Sequence, residues 1–502
     1  MKRRRRATPS IRVFPNDPDA SVGLVPATPA APREGEPAFV IEGRRYAPAP
    51  YDPGTLSFQY WQGETALERT IGVWEDLFDR DFSAWHGDRP LRVRLRAGRD
   101  LNAFYDRKSL QFFYDTDRVT GRVVYAAESL DVVAHEAGHA VLDVYQPGFW
   151  ATPDPETAAF HEAFGDCSAL LVTLTDLSVR RGFLAETGGR YATSNLVSRL
   201  AEALGRAIHD NYGPGAVSDP TRLRDANNSF RYAPAEKLPA DAPDDRLASE
   251  PHSFSRVFTG AFYDLLTRLV ARELREEPRD PDASVERGRR LAGRLLARAV
   301  ETMPPGEARY RAVAVRMREV DQTEEGGVAS IAIEEAFAAH GIRLPSIAAR
   351  GRKGRSAYRA LRALDPDRPG GTGAIRAALG LGPGARFARA SWKRRTGGGT
   401  REQLIHRTTV AVPLEVGGRI RPVRVAVICG CTLTRDPAGE VEGVSLRPHR
   451  HPTAAETARR LRPWVKRGEI ARGRPRPSAE HFRDRTPFRI GRSGILERVY
   501  FD

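Results

Sequence analysis

Apolar residues recur at helical spacing over Thr70–Phe82, where Ile71, Trp74, Leu77 and Phe78 share one face. Leu91–Arg96 alternates aliphatic residues with Arg, the period of a half-buried strand. Gln111–Tyr114 and Val123–Tyr125 are further short strands. After Ser129 the period turns helical, and the spacing predicts helices over 129–145, 156–175, 195–210, 252–275, 284–301, 307–319 and 328–340. Before residue 55 the chain is rich in Pro, Ala and Gly and shows little periodicity, which predicts a disordered basic lead over 1–54. Residues 346–400, rich in Arg and Gly, read as a linker or small helical insert. From 401 the texture is β again, with short strands at Leu404-Ile405, Thr408–Pro413 and Val423–Thr434, a helix over 453–468 and an Arg- and Pro-rich tail. The pattern as a whole predicts an α+β fold. A globular domain spans 55–345, and a small basic, mostly β domain spans 401–502.

Composition narrows the classes. The 502 residues carry a net charge of +15, yet only six of the 79 basic residues are Lys. The charge is uneven. Residues 346–502 hold 34 Arg and Lys against 13 Asp and Glu, or +21, which leaves −6 for residues 1–345. The first twelve residues add +6, so 13–345 carry −12. The middle of the chain is therefore acidic, and the basic C-terminal region is the part open to an anionic partner. No apolar run approaches the ~18–20 residues of a membrane helix, so no transmembrane segment is expected. The start lacks the apolar stretch of a secretory signal. That predicts a cytoplasmic protein, or one exported by a non-Sec route. Three cysteines, Cys167, Cys429 and Cys431, cannot make a disulfide framework and read as buried thiols.

The chemistry concentrates after Ser129. His135-Glu136-x-x-His139 places two imidazoles one helical turn apart and about 40° round, so both can face one ion. Glu136, one step round from His135, is placed to reach a water at that ion rather than to join its ligands. The apolar flanks Val132, Val133, Val141 and Leu142 predict a buried helix, where two His and a Glu need partners. A catalytic zinc site keeps three protein ligands and one open position. Glu162, 23 residues beyond His139, allows one helix to end and a second to return antiparallel. Asp166, four residues on, shares its face and is placed to hold the free N–H of a liganding His. His161 competes as third ligand but points about 100° away from Glu162, which favours Glu162.

These residues resemble the thermolysin-like zinc metallopeptidases, within the gluzincins. SLDVVAHEAGHAVLD is similar to the family's metal helix, and FHEAFGD to its Glu-x-x-x-Asp helix. Asn102-Ala103-Phe104-Tyr105 resembles the family's substrate-binding edge strand. Pro251-His252-Ser-Phe-Ser resembles the segment bearing its transition-state histidine, and Arg224 its substrate-binding arginine. IAIEEAFAAHGI, ending at Ile342, resembles the close of its helical lobe.

The resemblance implies a two-lobe zincin fold over about 55–345, with lobes meeting near 145–155, and one zinc per chain, held by His135, His139 and Glu162. It implies a peptide or protein substrate and endopeptidase activity, with Glu136 as general base and His252 and Arg224 assisting. Asp166 would support a ligand, and Asn102, Ala103 and Tyr105 would line the substrate strand. The chain departs from the pattern where His161 replaces the usual Asn and where no Tyr lies between the metal helix and Glu162; Phe149 and Trp150 stand near that place. Asp131 matches a calcium-binding position, but the sequence shows no acidic cluster with it, which argues against Ca2+. The reading from another class is a degenerate zinc lobe whose basic ends bind nucleic acid or an anionic surface.

Overall fold

The computed structural model describes residues 10–31, 33, 37–82, 85–86, 90–346, 361–472 and 484–502. It is a mixed α plus β fold with a C-terminal antiparallel sheet. Among the described residues no helix is long and apolar enough to cross a membrane. Among the described residues of the predicted lead, strands begin at Ile11. Strands β1 (Ile11–Val13) and β2 (Val25–Ala27) pair antiparallel. Ile11 and Val13 are buried against Trp61. The Gln62 side chain bonds both the N–H and the C=O of Phe14, standing in for a strand neighbour. Residues 1–9 lie outside the described part.

The N-terminal part of the chain carries a four-stranded sheet ordered β3-β4-β6-β5. Its strands are β3 (Phe39–Ile41), β4 (Leu91–Arg94), β5 (Ala103–Tyr105) and β6 (Ser109–Phe112). Only β5 runs antiparallel to its neighbour, and it forms the edge. Helix α1 (Leu56–Phe78) starts well before the predicted Thr70, capped by the Thr55 hydroxyl. A short pair, β7 (Tyr114–Thr116) and β8 (Val123–Tyr125), leads into the helices.

Helix α2 (Leu130–Tyr145) begins at a Ser129 cap. After the short α3 (Pro147–Ala151), helix α4 (Pro155–Thr173) starts on an Asp154 cap with Pro155 in its first turn. Helices α2 and α4 are buried along nearly their whole length. Then come α5 (Leu177–Thr187), β9 (Arg199–Leu200), α6 (Glu202–Tyr212) and β10 (Arg224–Asp225), with β9 and β10 paired. The helix predicted from 195 begins only at Glu202, because Asn195 and Ser198 close a turn and Arg199–Leu200 pair with β10. Helices α7 (Pro251–Glu276), α8 (Pro281–Thr302), α9 (Tyr310–Glu324) and α10 (Ser330–Ala339) complete this body.

Residues 347–360 of the predicted linker lie outside the described part. Beyond them come α11 (Gly371–Ala378) and β11 (Ala388–Lys393), so part of the stretch read as linker already belongs to the C-terminal sheet. Strands β12 (Thr400–Val416) and β13 (Arg419–Arg435) form one long hairpin, flanked by β11 and β14 (Val441–Arg447). Its turn is Gly417-Gly418, both at positive φ (59° and 71°), the left-handed conformation a two-residue hairpin requires. Helix α12 (Ala454–Lys466) and a small sheet of β15 (Ile470–Arg472), β16 (Phe488–Ile490) and β17 (Leu496–Arg498) end the chain. Trp464 on α12 is buried and donates to the Pro153 carbonyl, which seats this domain against the start of α4. The three cysteines are buried and free, as expected.

Candidate metal centre

Helices α2 and α4 cross at glycines. A Cβ on Gly138 would lie 3.2 Å from the Gly165 Cα, and one on Gly165 would lie 2.7 Å from the His135 ring. This approach brings Glu162 under the two histidines. Its Oε2 is 3.3 Å from His135 Nε2 and 3.5 Å from His139 Nε2. Ligand atoms of His135, Glu136 and His139 lie within 4.8 Å of one another, and all three residues are buried. His139 Nε2 and Glu136 Oε2 have no hydrogen-bond partner among the described residues. Buried polar atoms are seldom left so, and this group can bind a metal ion.

The outer ring nitrogens are both held. His135 Nδ1 is 3.1 Å from Asp166 Oδ1, and His139 Nδ1 is 2.7 Å from His161 Nδ1. His161 thus props the second histidine through its Nδ1. Burial, then the neighbouring His139, puts its pKa well below the ordinary value, so it is neutral and can accept His139 Nδ1–H. Burial pushes the Glu136 carboxyl up to about 8, with Glu162 adding to the shift. A cation at the group would draw it back toward the ionised form.

The residues expected to assist converge on the same place. Arg224 on β10 donates to Asp166 Oδ1 from Nη2 at 2.8 Å, and Thr259 Oγ1 donates to the other oxygen at 3.0 Å. His252 sits in the first turn of α7, whose cap is Glu250. Its Nδ1 lies 2.9 Å from Glu250 Oε1 and its Nε2 3.3 Å from Glu162 Oε2. Burial alone would lower the His252 pKa; the charges of Glu162 and Glu250 outweigh it and hold the value well above ordinary. Asn102 and Ala103 line a cavity of about 50 Å³ beside Glu136, His252 and Arg224. The apolar part of its wall is Val132, Leu200, Leu204 and Leu223. Tyr105 differs from the expectation in part: its hydroxyl donates to Asp143, so only its backbone faces the cleft.

Two features were not visible in the sequence. The first is the company of Asp131. It is buried beside Asp17 of the N-terminal loop and Glu202 of α6. Burial and those charges raise its pKa well above the ordinary carboxyl value. Burial likewise pushes Glu202 up to about 7, with Asp17 adding to the shift. The acidic neighbours thus come from segments far from Asp131 in sequence. The second is the segment Val499–Asp502, which enters the cleft. Phe501 stacks on His161 with ring centroids 3.9 Å apart, and the Asp502 backbone oxygen lies 2.5 Å from His252 Nε2. No apolar period or motif marks these residues.

No protein-family model matches the chain, and no curated protein matches it.

Proposed function

We propose that this chain is a thermolysin-like, zinc-dependent endopeptidase. The observation that carries the reading is the placement of Glu162 Oε2, 3.3 and 3.5 Å from the two histidine Nε2 atoms. Donors about 2.0–2.1 Å from a tetrahedral ion stand about 3.4 Å apart, and the two nitrogens and one oxygen suit zinc. His135, His139 and Glu162 would hold it. Asp166 and His161 fix the rings, and Glu136 is left free of the ligand set. Zinc, when bound, supplies Lewis acidity toward the peptide carbonyl and its attacking water.

The chain's own groups supply the rest. Glu136 takes the proton of the attacking water and returns it to the leaving amine. His252, held by Glu250, donates from Nε2 to the oxygen where negative charge develops. One such donor is worth about 2.7–4 kcal/mol. Arg224 and Thr259 hold Asp166, and through it His135. The outer edge of β5 offers backbone N–H and C=O to an extended peptide. The cavity walled by Val132, Leu200, Leu204 and Leu223 suits a small apolar side chain on the leaving-group side.

The test combines metal content with hydrolysis of an internally quenched peptide. We expect one zinc per chain, cleavage that stops with 1,10-phenanthroline and returns with zinc, and a Glu136→Gln variant that keeps zinc but loses ~10²–10⁴-fold in rate. Zinc-loaded protein that cleaves nothing, as wild type or in the Phe501 variants described below, would overturn the reading. So would a fully active Glu136→Gln variant.

A further inference from the structure

The outer edge of β5 is already occupied. The Tyr105 N–H donates to the Phe501 carbonyl at 2.8 Å, and the Phe501 N–H donates to the Tyr105 carbonyl at 2.9 Å. The two residues form an antiparallel bridge, the pairing by which an extended peptide adds to a sheet edge. The Phe501 ring lies flat on His161 and meets Trp150 edge-on at 5.4 Å, and the residue is 2% exposed. One residue on, the Asp502 backbone oxygen is 2.5 Å from His252 Nε2, the donor assigned above to the reacting carbonyl. Asn102 Nδ2 faces the Asp502 carboxylate at 3.5 Å. Upstream, the Val499 N–H donates to Pro487, and Tyr500 packs with Phe104 and Phe113. The segment is thus delivered by the C-terminal domain, fills one side of the cleft and reaches Glu136 and His252. The apolar cavity on the far side is left open.

We propose that Val499–Asp502 is an intramolecular occupant of the peptide cleft, holding the site closed until it is displaced, and that the seat beside His161 takes an aromatic side chain on the acyl side of a substrate. The proposal rests on the peptidase reading for its consequence, but not for the contact itself.

The seat is built to be left as well as filled. Arg498, over the Phe501 ring at 4.0 Å, is buried, and its Nε and Nη2 have no hydrogen-bond partner among the described residues. A buried cation with orphaned donors is better solvated outside. Ring stacking and two backbone bonds hold the segment in, while the unsatisfied guanidinium favours release. A substrate strand offering the same backbone bonds without that buried guanidinium competes on favourable terms.

Occupancy by the chain's own segment lowers apparent substrate affinity by the fraction of molecules that are open. In the full-length chain, Phe501→Ala is therefore expected to lower KM for a quenched peptide about tenfold or more, with kcat little changed. Phe501→Leu, which keeps apolar bulk but loses the ring stacking, should lie between, and it carries the comparison if the alanine variant does not fold. A fluorescein-labelled peptide of residues 496–502, Leu-Glu-Arg-Val-Tyr-Phe-Asp, should bind the Phe501→Ala chain in a fluorescence-anisotropy titration. The same peptide with Ala for Phe should not. Unchanged KM in both folded variants, together with no peptide binding, would overturn the proposal and leave the peptidase reading intact. Peptide binding with no hydrolysis by any variant would uphold the occupied cleft and overturn the peptidase reading.

Discussion

His161 shows what one side chain decides here. It lies beside Glu162, the proposed third ligand, and helical geometry places it about 100° away. That geometry favours Glu162 as the ligand but does not say what His161 meets. In the fold it is the group that fixes His139, at 2.7 Å. Removing the group that orients a liganding His costs about 10–100-fold in metal affinity. His161→Ala should show that loss in a zinc competition with a chromogenic chelator. His161→Asn, whose amide oxygen can accept the same N–H, should recover most of it. Glu64 on α1 gives a second prediction at this scale. Burial pushes its carboxyl up to about 7, with Glu68 adding to the shift. A carboxyl raised in the fold costs nothing below its ordinary 4.5 and destabilises progressively as pH rises to about 7. Glu64→Gln should therefore match wild type in melting temperature at pH 4.5 and exceed it by about 1–3 °C at pH 8.

At the scale of elements, the centre depends on how closely α2 and α4 cross. A Cβ on Gly138 would lie 2.4 Å from the Ser168 hydroxyl and 3.2 Å from the Gly165 backbone, so the helices must part to admit it. Gly138→Ala should cost about 1–3 kcal/mol in urea unfolding. It should also weaken zinc binding, because Glu162 moves with α4. Gly72, inside α1, has nothing within 4 Å of a built Cβ. There Ala should stabilise by about 0.5–1 kcal/mol, the ordinary helix preference over Gly. The His135, Glu136 and His139 group was legible in the sequence because its spacing is set by one turn of helix, and the apolar flanks of α2 announced burial. The start of α1 was not legible, because Gln59, Gln62 and Thr65 on its buried side are polar. Gln62 is satisfied by the backbone of Phe14, 48 residues earlier. The pairing of Tyr105 with Phe501 spans nearly 400 residues, and no local period encodes it.

Across the whole molecule the uneven charge acquires a structural meaning. The basic C-terminal region meets the acidic body through specific pairs: Arg395 with Asp81 at 3.3 Å, Arg460 with Glu307 at 2.6 Å, and Arg394 with Glu301 at 3.1 Å. Glu301, at the end of α8, is fully buried. It also accepts from Arg298 at 3.0 Å and from the Trp392 indole at 3.1 Å, with Arg401 at 3.8 Å. Burial would raise its pKa, but the charges of Arg401, Arg394 and Arg298 prevail and hold it below the ordinary carboxyl value. A lowered carboxyl contributes its stability above its ordinary pKa and loses it as pH falls through the folded value. Glu301→Gln removes the buried charge that Arg298, Arg394 and Arg401 face, a loss of about 3–5 kcal/mol. That difference from wild type should be full at pH 7 in urea unfolding and shrink below pH ~4. The same domain delivers Val499–Asp502 to the cleft. Loosening its seat at Glu301, on a helix that supplies none of the proposed zinc ligands, should therefore also release the segment. Glu301→Gln is expected to lower KM in the direction of Phe501→Ala while leaving zinc content at one per chain. A variant that unfolds more easily yet keeps the wild-type KM would show that domain seating and cleft occupancy are independent.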